Sequence, residues 1–599
     1  MKLPSPGFLL NAFFQASRRF PGAMLCAIAG VVTVIAYISP NGGAEERYLE
    51  RLWMVFQLGL PFLTGLVAFS ESKGWDEKRG WLLQGLGLLV LAGCWVLFDP
   101  SAPAFEYVGL PRYFVLLVTA HLFVAAAPYL NQLSVRDFWE YNRELFANII
   151  IGVVFTLILF AGLGLAILAV DQLFDLNIDH KIYGKLFVVL AGVFNTTYFL
   201  FHFPEKYEFA SADTGYNAIF KNLCKFILIP IVGLYFLILY TYGGKILAMW
   251  SLPRGWVSSL VLGFSVAGIF TYLLNFYLPE HDDSAHVRGY KKWFWWVVLP
   301  PTVLLFVAIG KRISDYGVTE ERFLVAHLGV WLAATCLYFL FSKHDNIKFI
   351  PISLGLFALV FAFGPLSAFK VSERSQVGIL KNLLEKNGRW KEGRMVQGTS
   401  PVPKEEVWQI ISALEFLERR DALSHLAWLP MPVDSFTATN PYGTYGVAGR
   451  IAAWAGVDVN EARADTYLNI GVGDFQFAEV DVRGFSTFYK VALDTGADKD
   501  PASDGNFFKL SDDGKRVEWE KTKTGKARLV ETFDLQPILS KWTTQAQNYY
   551  LHLSQSEATF DLVGKKGTLR IIVQNASVDK SSSVAKLSYL EGFLFLKEK

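Results

Sequence analysis

Long apolar runs recur between residues 20 and 370 of this chain, with short polar segments between them. Each run holds about 18 to 25 residues, which as a helix is enough to cross the roughly 30 Å hydrocarbon layer of a bilayer. Charged residues make up only 18% of the chain, whereas ordinary soluble domains carry about 25%. The sequence therefore predicts an α-helical polytopic membrane protein.

We predict about eleven transmembrane helices, near residues 22–39, 52–70, 81–98, 113–131, 146–170, 184–203, 223–243, 256–278, 293–310, 323–342 and 349–369. Lys and Arg are more frequent in the segments on the side of the N-terminus than in the loops opposite. The positive-inside rule then makes this a multi-pass protein of the cell membrane with a cytoplasmic N-terminus. An odd number of spans places the C-terminal part outside the cytoplasm, and an error of one span would reverse that side.

The chain changes character after the last apolar run. Residues 1–370 form the predicted transmembrane domain, residues 371–394 a membrane-exit helix and linker, and residues 395–599 a soluble α+β domain that we expect to be extracytoplasmic. Helices are predicted at 403–420 and within 534–553. Strand-like runs rich in β-branched and aromatic residues lie at 476–493, 516–521, 527–533, 559–563, 568–576 and 585–598. Gly564–Gly567 is predicted to be a hairpin turn.

Five stretches carry a resemblance to a known family. They are FWEYNRELFANII (138–150), LFDLNIDHKIYGKL (173–186), LPRGWVSSLV (252–261), KRISDYGVTEERF (311–323) and FGPLSAFKVSERSQVGILKNLLEKNGRWKEG (363–393). In these stretches the chain resembles the uncharacterised bacterial membrane family catalogued as domain of unknown function 4153. The resemblance implies a multi-span protein of the bacterial inner membrane. It implies no activity, because none is established for the family.

The stretch KRISDYGVTEERF places many ionisable side chains in the short gap between two apolar runs, and it has two interpretations. The first is a solvated turn, in which Gly317 breaks the helix, Thr319 caps the next one and two acids suit its positive end. Four further polar residues are not required by such a turn: Arg312, Asp315, Tyr316 and Arg322. In the second interpretation these residues grip an anionic group through charge-assisted hydrogen bonds.

The predicted topology gathers polar residues from several loops on the outer side, whereas FWEYNRE falls on the inner side. We therefore predict an outer-face site for a small or lipid-derived anion. Its candidate residues are Lys311, Arg312, Asp315, Tyr316, Glu320, Arg322, Arg254, Lys245, Arg374 and Gln376.

Two polar residues within the spans are predicted to have structural roles. His121 is predicted to be a neutral histidine that packs between helices rather than a proton relay, and Asn195 to form hydrogen bonds between helices. The loop that holds His281, Asp282, Asp283 and His286 is a weak candidate for a metal site, because only a loop would hold the ligands. We expect no metal and no cofactor.

The sequence contains no P-loop, no HExxH, no GxSxG and no dinucleotide-binding glycine motif in a strand–helix context. Its formal net charge of +2 gives no indication of nucleic-acid binding. The favoured hypothesis is a non-enzymatic membrane protein, transporter-like or ligand-sensing. The alternatives are a membrane-embedded enzyme of cell-envelope biogenesis and a membrane-anchored protein that binds an envelope partner.

Overall fold

The computed structural model describes residues 6–39, 44–130, 134–209, 218–249, 256–342, 345–437, 446–457, 467–472, 483–485, 487–495, 505–523, 526–546, 550–580 and 584–598. The chain divides into two compact units. The first holds Met1–Ile379 together with Arg419–Ala422, and the second holds Leu380–Glu418 together with Leu423–Lys599. Each unit has a hydrophobic core of its own.

The first unit is helical, as expected for a chain that has to satisfy its own backbone polar groups inside a hydrocarbon layer. Its helices are α1 (Pro6–Arg19), α2 (Pro21–Ile38), α3 (Ala44–Ser72), α4 (Glu77–Leu97), α5 (Leu110–Ala126), α6 (Val135–Phe174), α7 (Lys181–Val189), α8 (Asn195–Phe201), α9 (Ala218–Asn222), α10 (Ile229–Met249), α11 (Trp256–Asn275), α12 (Ala285–Tyr316), α13 (Glu320–Phe341), α14 (Phe349–Ala362) and α15 (Ala368–Lys386). The π-helical segment Leu190–Phe194 joins α7 to α8, and Leu223–Leu228 joins α9 to α10.

Ten helical segments within the described ranges are long and apolar enough to cross a membrane: Pro21–Ile38, Glu46–Ser72, Glu77–Leu97, Phe105–Tyr129, Val135–Phe174, Lys181–Phe201, Ala218–Ile246, Ser258–Glu280, Ala285–Tyr316 and Glu320–Phe341. They coincide with the first ten predicted spans. The predicted class, a polytopic helical membrane protein with a C-terminal α+β region, is therefore confirmed.

The eleventh predicted span, 349–369, is shorter than predicted. Its helix α14 has 14 residues, about 21 Å at 1.5 Å per residue, which is less than the roughly 30 Å of hydrocarbon. The chain then turns through Gly364, whose φ is +83°, before α15 begins at Ala368. The apolar residues of this turn extend the hydropathy signal past the end of the helix. The side on which the second unit lies therefore stays a prediction.

Two helices extend well beyond their predicted spans. Helix α6 has 40 residues, and its first turns hold the FWEYNRE stretch, whose Phe138, Trp139 and Tyr141 are buried rather than part of a loop. The backbone N–H of Asp137 donates to Ser134 Oγ at 3.0 Å and caps this helix. Helix α12 has 32 residues and ends at Tyr316, six residues after the predicted end.

A polar cluster near the start of the first unit joins α1, α3 and the segment after α8. Arg19 donates from Nε and Nη2 to the two carboxylate oxygens of Glu71 at 3.0 and 2.8 Å, and from Nη1 to the carbonyl of Phe203 at 2.9 Å. The Tyr207 hydroxyl donates to the same carboxylate at 2.6 Å. Burial and the Glu71 charge raise the pKa of Tyr207, so its hydroxyl stays a donor.

The second unit combines helices with three sheets. Beyond α15, its helices are α16 (Lys404–Glu418), α17 (Val433–Thr437), α18 (Val447–Trp454) and α19 (Gln536–Gln545). Its strands are β1 (Trp390–Lys391), β2 (Arg394–Met395), β3 (Tyr467–Val472), β4 (Thr487–Asp494), β5 (Gly505–Leu510), β6 (Arg516–Lys523), β7 (Lys526–Asp534), β8 (Tyr550–Leu553), β9 (Thr559–Val563), β10 (Gly567–Asp579) and β11 (Lys586–Glu598).

The largest sheet has the order β4–β11–β10–β3–β8, and β9 also pairs with β10. All of its pairs are antiparallel except β3 with β8. Strands β5, β6 and β7 form a three-stranded antiparallel sheet, and β1 pairs with β2. The buried side chains of Trp519 and Trp542 belong to the core of this unit.

Most strand predictions in the second unit are confirmed, including the hairpin at Gly564–Gly567, where the Gly564 N–H donates to the Gly567 carbonyl at 2.8 Å. The helix predicted within 534–553 ends at Gln545, and 550–553 is strand β8, so that part of the prediction is wrong. Residues 476–482 of the first predicted strand run lie outside the described residues. Strands β3 and β5 were not predicted. Strand β5 has no clear alternation of apolar and polar residues, whereas β3 is a short run in which Leu468, Ile470 and Val472 alternate with less apolar residues.

Arg389 connects several loops of the second unit and is only 1% exposed. Its guanidinium donates to the carbonyls of Asn387 at 2.6 Å, Ala455 at 3.2 Å and Gly456 at 3.0 Å, and to the Ser400 hydroxyl at 2.7 Å. A planar group with five fixed donors can serve carbonyls from separate segments at once, which a lysine ammonium cannot.

We expect Arg389→Lys to lower the free energy of unfolding of the second unit by about 2 kcal/mol or more, because buried carbonyls lose their donors. The measurement is thermal unfolding of the purified full chain, with limited proteolysis to locate the loosened unit. Arg394→Lys, at an exposed position nearby, is the matched control and should leave stability unchanged. Equal stability of the two variants would contradict the structural role of Arg389.

Candidate functional site

The charged stretch at 311–322 forms the connection between α12 and α13, and we call these residues the α12–α13 corner. Lys311, Arg312, Asp315 and Tyr316 lie on the last turns of α12 rather than in a loop. Gly317, with φ +72°, ends that helix. Thr319 occupies the N-cap position of α13, but its side chain makes no capping hydrogen bond.

The corner is fixed to α15 by two polar side chains. The backbone N–H of Val318 donates to Ser375 Oγ at 2.9 Å, and Gln376 Nε2 donates to the Val318 carbonyl at 3.0 Å. Gln376 is one of the predicted ligand-binding residues. Its side chain is buried and holds the corner in place. Ser375 was not among the predicted site residues, although it lies in the Ser-x-Arg-Ser-Gln string that carries the family resemblance.

Arg322 turns back over the end of α12. Its Nη1 donates to the carbonyls of Tyr316 and Gly317 at 3.0 and 2.9 Å, and its Cζ lies 5.5 Å from the centre of the Tyr316 ring. Arg312 is close enough for the two positive charges to repel each other. Among the residues that the structure describes, no carboxylate forms an ion pair with either guanidinium.

Glu320 is engaged by an arginine from a distant part of the sequence. Arg420 donates from Nε and Nη2 to the two carboxylate oxygens of Glu320 at 2.7 and 2.8 Å. The two side chains are only 14% and 13% exposed, so the pair is well shielded from solvent. Arg420 also lies 5.1 Å from the ring centre of Tyr107. No local sequence pattern indicated Arg420, because 100 residues separate the two partners.

The other predicted site residues do not join this arrangement. Lys311 pairs with Asp315 at 2.7 Å along the exposed surface of α12, where such a pair contributes little stability. Lys245 is exposed near the end of α10. Arg374 is exposed on α15 and forms no ion pair with a residue in the described ranges. Arg254 lies outside the described residues.

The polar residues within the spans differ from their predictions. His121 is exposed on α5, and its Nδ1 lies 2.8 Å from the carbonyl of Leu117 in the same helix, so it does not pack between helices. Asn195 Oδ1 is buried without a hydrogen-bond partner among the described residues. The predicted hydrogen bonds between helices are therefore not formed by this oxygen.

Two lysines pair with an acid of the segment 279–292, whose second half belongs to α12. Asp282 binds Lys225 at 2.9 Å and Lys221 at 3.1 Å, and the Ser284 N–H donates to it at 2.9 Å. Lys225 and Ser284 hold the pKa of the Asp282 carboxyl well below its usual range. Across the described ranges, no three His, Cys, Asp or Glu side chains gather in a way that could hold a metal ion.

A protein-family model described as "Domain of unknown function (DUF4153)" matches residues 8–377. The chain belongs to this family. A stretch of 234 residues is 26% identical to "Uncharacterized protein PM1469" of Pasteurella multocida (strain Pm70) and covers 39% of each protein. The chain thus matches about two fifths of that relative's length. No solved structure matches the chain.

The DUF4153 match contains the whole corner and both residues of α15 that fix it, Ser375 and Gln376. Arg420 and the sheets of the second unit lie beyond the match. The corner and its attachment to α15 therefore belong to the family region, whereas the Glu320–Arg420 pair depends on a residue outside it.

Gly317 allows the tight passage from α12 to α13. A Cβ there would lie 2.1 Å from Ile379 Cδ1 and 3.1 Å from Ser375 Oγ, at a φ of +72° that side chains rarely adopt. We expect Gly317→Ala to lower the free energy of unfolding by about 1–2 kcal/mol, measured by thermal unfolding of the purified full chain.

Gly310→Ala is the matched control, since a Cβ at Gly310 meets no atom within 4 Å. In the interior of α12 this change should be neutral or stabilising by up to about 1 kcal/mol. A Gly317→Ala variant as stable as Gly310→Ala would show that the corner is looser than its contacts indicate.

Proposed function

We propose that this protein is a non-enzymatic membrane protein, transporter-like or ligand-sensing, that binds a small or lipid-derived anion at the α12–α13 corner. The observation that supports the proposal is the pair Arg312 and Arg322. The positive charge of Arg312 is near enough to act on Arg322, and within the described part of the chain neither guanidinium forms an ion pair with a carboxylate. Two like charges at close range are unfavourable unless an anion lies between them.

Arg322 is held in a defined position while some of its donors stay available. Its two hydrogen bonds to Tyr316 and Gly317 both come from Nη1. The Nε and Nη2 donors form no hydrogen bond with described residues, and together they present a flat fork that suits a carboxylate or a phosphate. The proposed ligand would take the place of the missing carboxylate.

The surroundings of the corner favour ligand sensing over catalysis. The Glu320 carboxylate accepts hydrogen bonds from Arg420 at both of its oxygens. The Ser375 hydroxyl accepts the Val318 N–H. An anion bound by Arg322 would therefore act on a segment that is already fixed to α15 and to residue 420. Such a site can transmit a change of position, and its described residues include no free nucleophile with a base beside it.

The proposal predicts that an anion protects Arg312 from chemical modification. The purified full chain is treated with phenylglyoxal, which modifies arginine, and the rate at Arg312 is followed by mass spectrometry. The probes are inorganic phosphate and phosphatidic acid. At ten times the dissociation constant, the modification of Arg312 should slow about tenfold.

Arg79 is the internal control, because its side chain is 71% exposed and lies in another loop, so its rate should not change. Arg322→Gln should abolish the protection of Arg312, whereas Arg79→Gln should not. If neither probe slows the reaction at Arg312, or if Arg79 is protected equally, the corner is not an anion site.

An outer-face site further requires the topology expected from the sequence. We predict that Asp512→Cys, at an exposed position between β5 and β6, is labelled in intact cells by a membrane-impermeant thiol reagent. The unaltered chain is the control, since its four cysteines are buried. Labelling that occurs only after the cells are broken would place the second unit in the cytoplasm and remove the basis for uptake or envelope sensing.

A further inference from the structure

The first turns of α12 carry a stripe of basic and aromatic residues. Arg288, Lys291, Lys292, Trp295 and Trp296 recur at intervals of three and four residues, which places them on one side of the helix. The basic residues occupy the first part of the stripe, and the tryptophans follow one turn later. Tryptophan is enriched at the level of lipid headgroups, where one side of the ring is apolar and the N–H needs a partner.

This stripe lines a cavity of about 360 Å³, a volume within the range of small-molecule sites. Tyr272 of α11, Phe339 of α13 and Asp345 complete much of its wall. The Trp295 and Phe339 rings are stacked, with centres 4.6 Å apart and an angle of 3° between their planes. The cavity therefore has cations on one side and a rigid aromatic wall on the other.

Ion pairs balance only part of the charge of the cavity. Arg288 pairs with Asp283, donating to its carboxylate at 3.4 Å and to its carbonyl at 2.8 Å. Lys291 and Lys292 form no salt bridge with any residue in the described ranges, and Lys291 Nζ lies 4.1 Å from the centre of the Phe276 ring. Asp345 is the carboxylate that lines the cavity, so the lining carries an excess of positive charge.

Trp295 provides a second, independent observation. It is only 3% exposed, and its Nε1 is buried without a hydrogen-bond partner of good geometry among the described residues. The hydroxyl of Tyr272 is a polar neighbour, and the two rings are 5.1 Å apart. A buried indole N–H whose only neighbouring acceptor is poorly placed costs free energy that a better-placed acceptor would recover.

We propose that this cavity binds the phosphate group of a ligand that also has an apolar portion, with Lys291 and Lys292 on the phosphate. Basic pockets between membrane helices are a known arrangement for phosphate-bearing headgroups, and each lysine adds attraction for the anion. A solvated loop enriched in lysine would explain the charge alone. It would not explain a cavity, a stacked aromatic pair and a poorly satisfied indole N–H at the same place.

The site is distinct from the α12–α13 corner. Lys292 and Arg312 are 20 residues apart on the same helix, which corresponds to about 30 Å along its axis, so no small ligand touches both. The proposal does not rest on the anion site of the corner, and variants at one end can be tested without altering the other.

The test measures stabilisation of the purified full chain, in neutral detergent, by dioctanoyl phosphatidic acid. Lys291→Gln/Lys292→Gln should weaken the apparent affinity by about tenfold or more, since each lysine near a headgroup contributes a factor of about five. Trp295→Phe, which keeps an aromatic ring but removes the indole N–H, should weaken it several-fold. Lys78→Gln/Arg79→Gln removes the same number of charges from another loop and should bind as tightly as the unaltered chain.

Glycerol 3-phosphate and dioctanoyl phosphatidylcholine separate the sources of the ligand. Stabilisation by phosphatidic acid but by neither of the other two supports an anionic phosphate ligand with an apolar portion. Equal stabilisation by glycerol 3-phosphate would show that the apolar portion contributes nothing, and equal stabilisation by phosphatidylcholine would show that the net anionic charge contributes nothing; either result would contradict the proposal. The proposal would be overturned if Lys291→Gln/Lys292→Gln bound phosphatidic acid as tightly as the unaltered chain. It would also be overturned if Lys78→Gln/Arg79→Gln lost as much affinity as the lysine variant. An affinity lost in Arg312→Gln/Arg322→Gln but kept in the lysine variant would assign the ligand to the corner and overturn this site only.

Discussion

A hydrogen bond from the hydroxyl of Tyr240 to the carbonyl of Val297, at 2.9 Å, helps to keep α12 continuous. Pro301 has no N–H to offer that carbonyl, and prolines in a helix interior usually bend or end it. Pro300 and Pro301 nevertheless lie within an unbroken helix of 32 residues. Tyr240 of α10 supplies the donor that Pro301 lacks, so α12 can continue past the two prolines. The middle of this one helix can cross the hydrocarbon layer, and its two ends carry polar residues.

Charges at the two ends of α12 are used differently. At the corner, several of the polar groups are already committed to the fold, because Glu320 is held by Arg420 and Gln376 by the Val318 carbonyl. What is left over is positive charge on Arg312 and on part of Arg322. At the other end, Lys291 and Lys292 border an open cavity. An excess of one sign, rather than the number of charges, therefore distinguishes a candidate ligand site from a structural corner.

Hydropathy alone predicted the membrane spans, because a helix in lipid has to be apolar for most of its length. It failed at α14, where apolar residues continue through a turn, and at the end of α12, where charged residues continue the helix. The composition of the corner was evident from sequence, but its contacts were not. Ser375 and Arg420 are 57 and 100 residues away from their partners, and no local pattern reports pairings over such distances. The same holds for Trp295, whose unsatisfied N–H depends on the packing of three helices.

The continuity of α12 also limits how the two ends can influence each other. A ligand at one end changes the affinity at the other only if the element between them has two arrangements that the ligands distinguish, and the effect is then reciprocal. In α12 the place for such a change is the pair Pro300–Pro301, where backbone hydrogen bonds are already missing and sharp bends in helices commonly occur. The Tyr240 hydroxyl is the group that opposes bending there. Loss of this one donor would free the Val297 carbonyl within an apolar layer, at a cost comparable to that of any unsatisfied buried acceptor. A stiff α12 therefore favours independent behaviour of its two ends, and the hydrogen bond from α10 contributes to that stiffness.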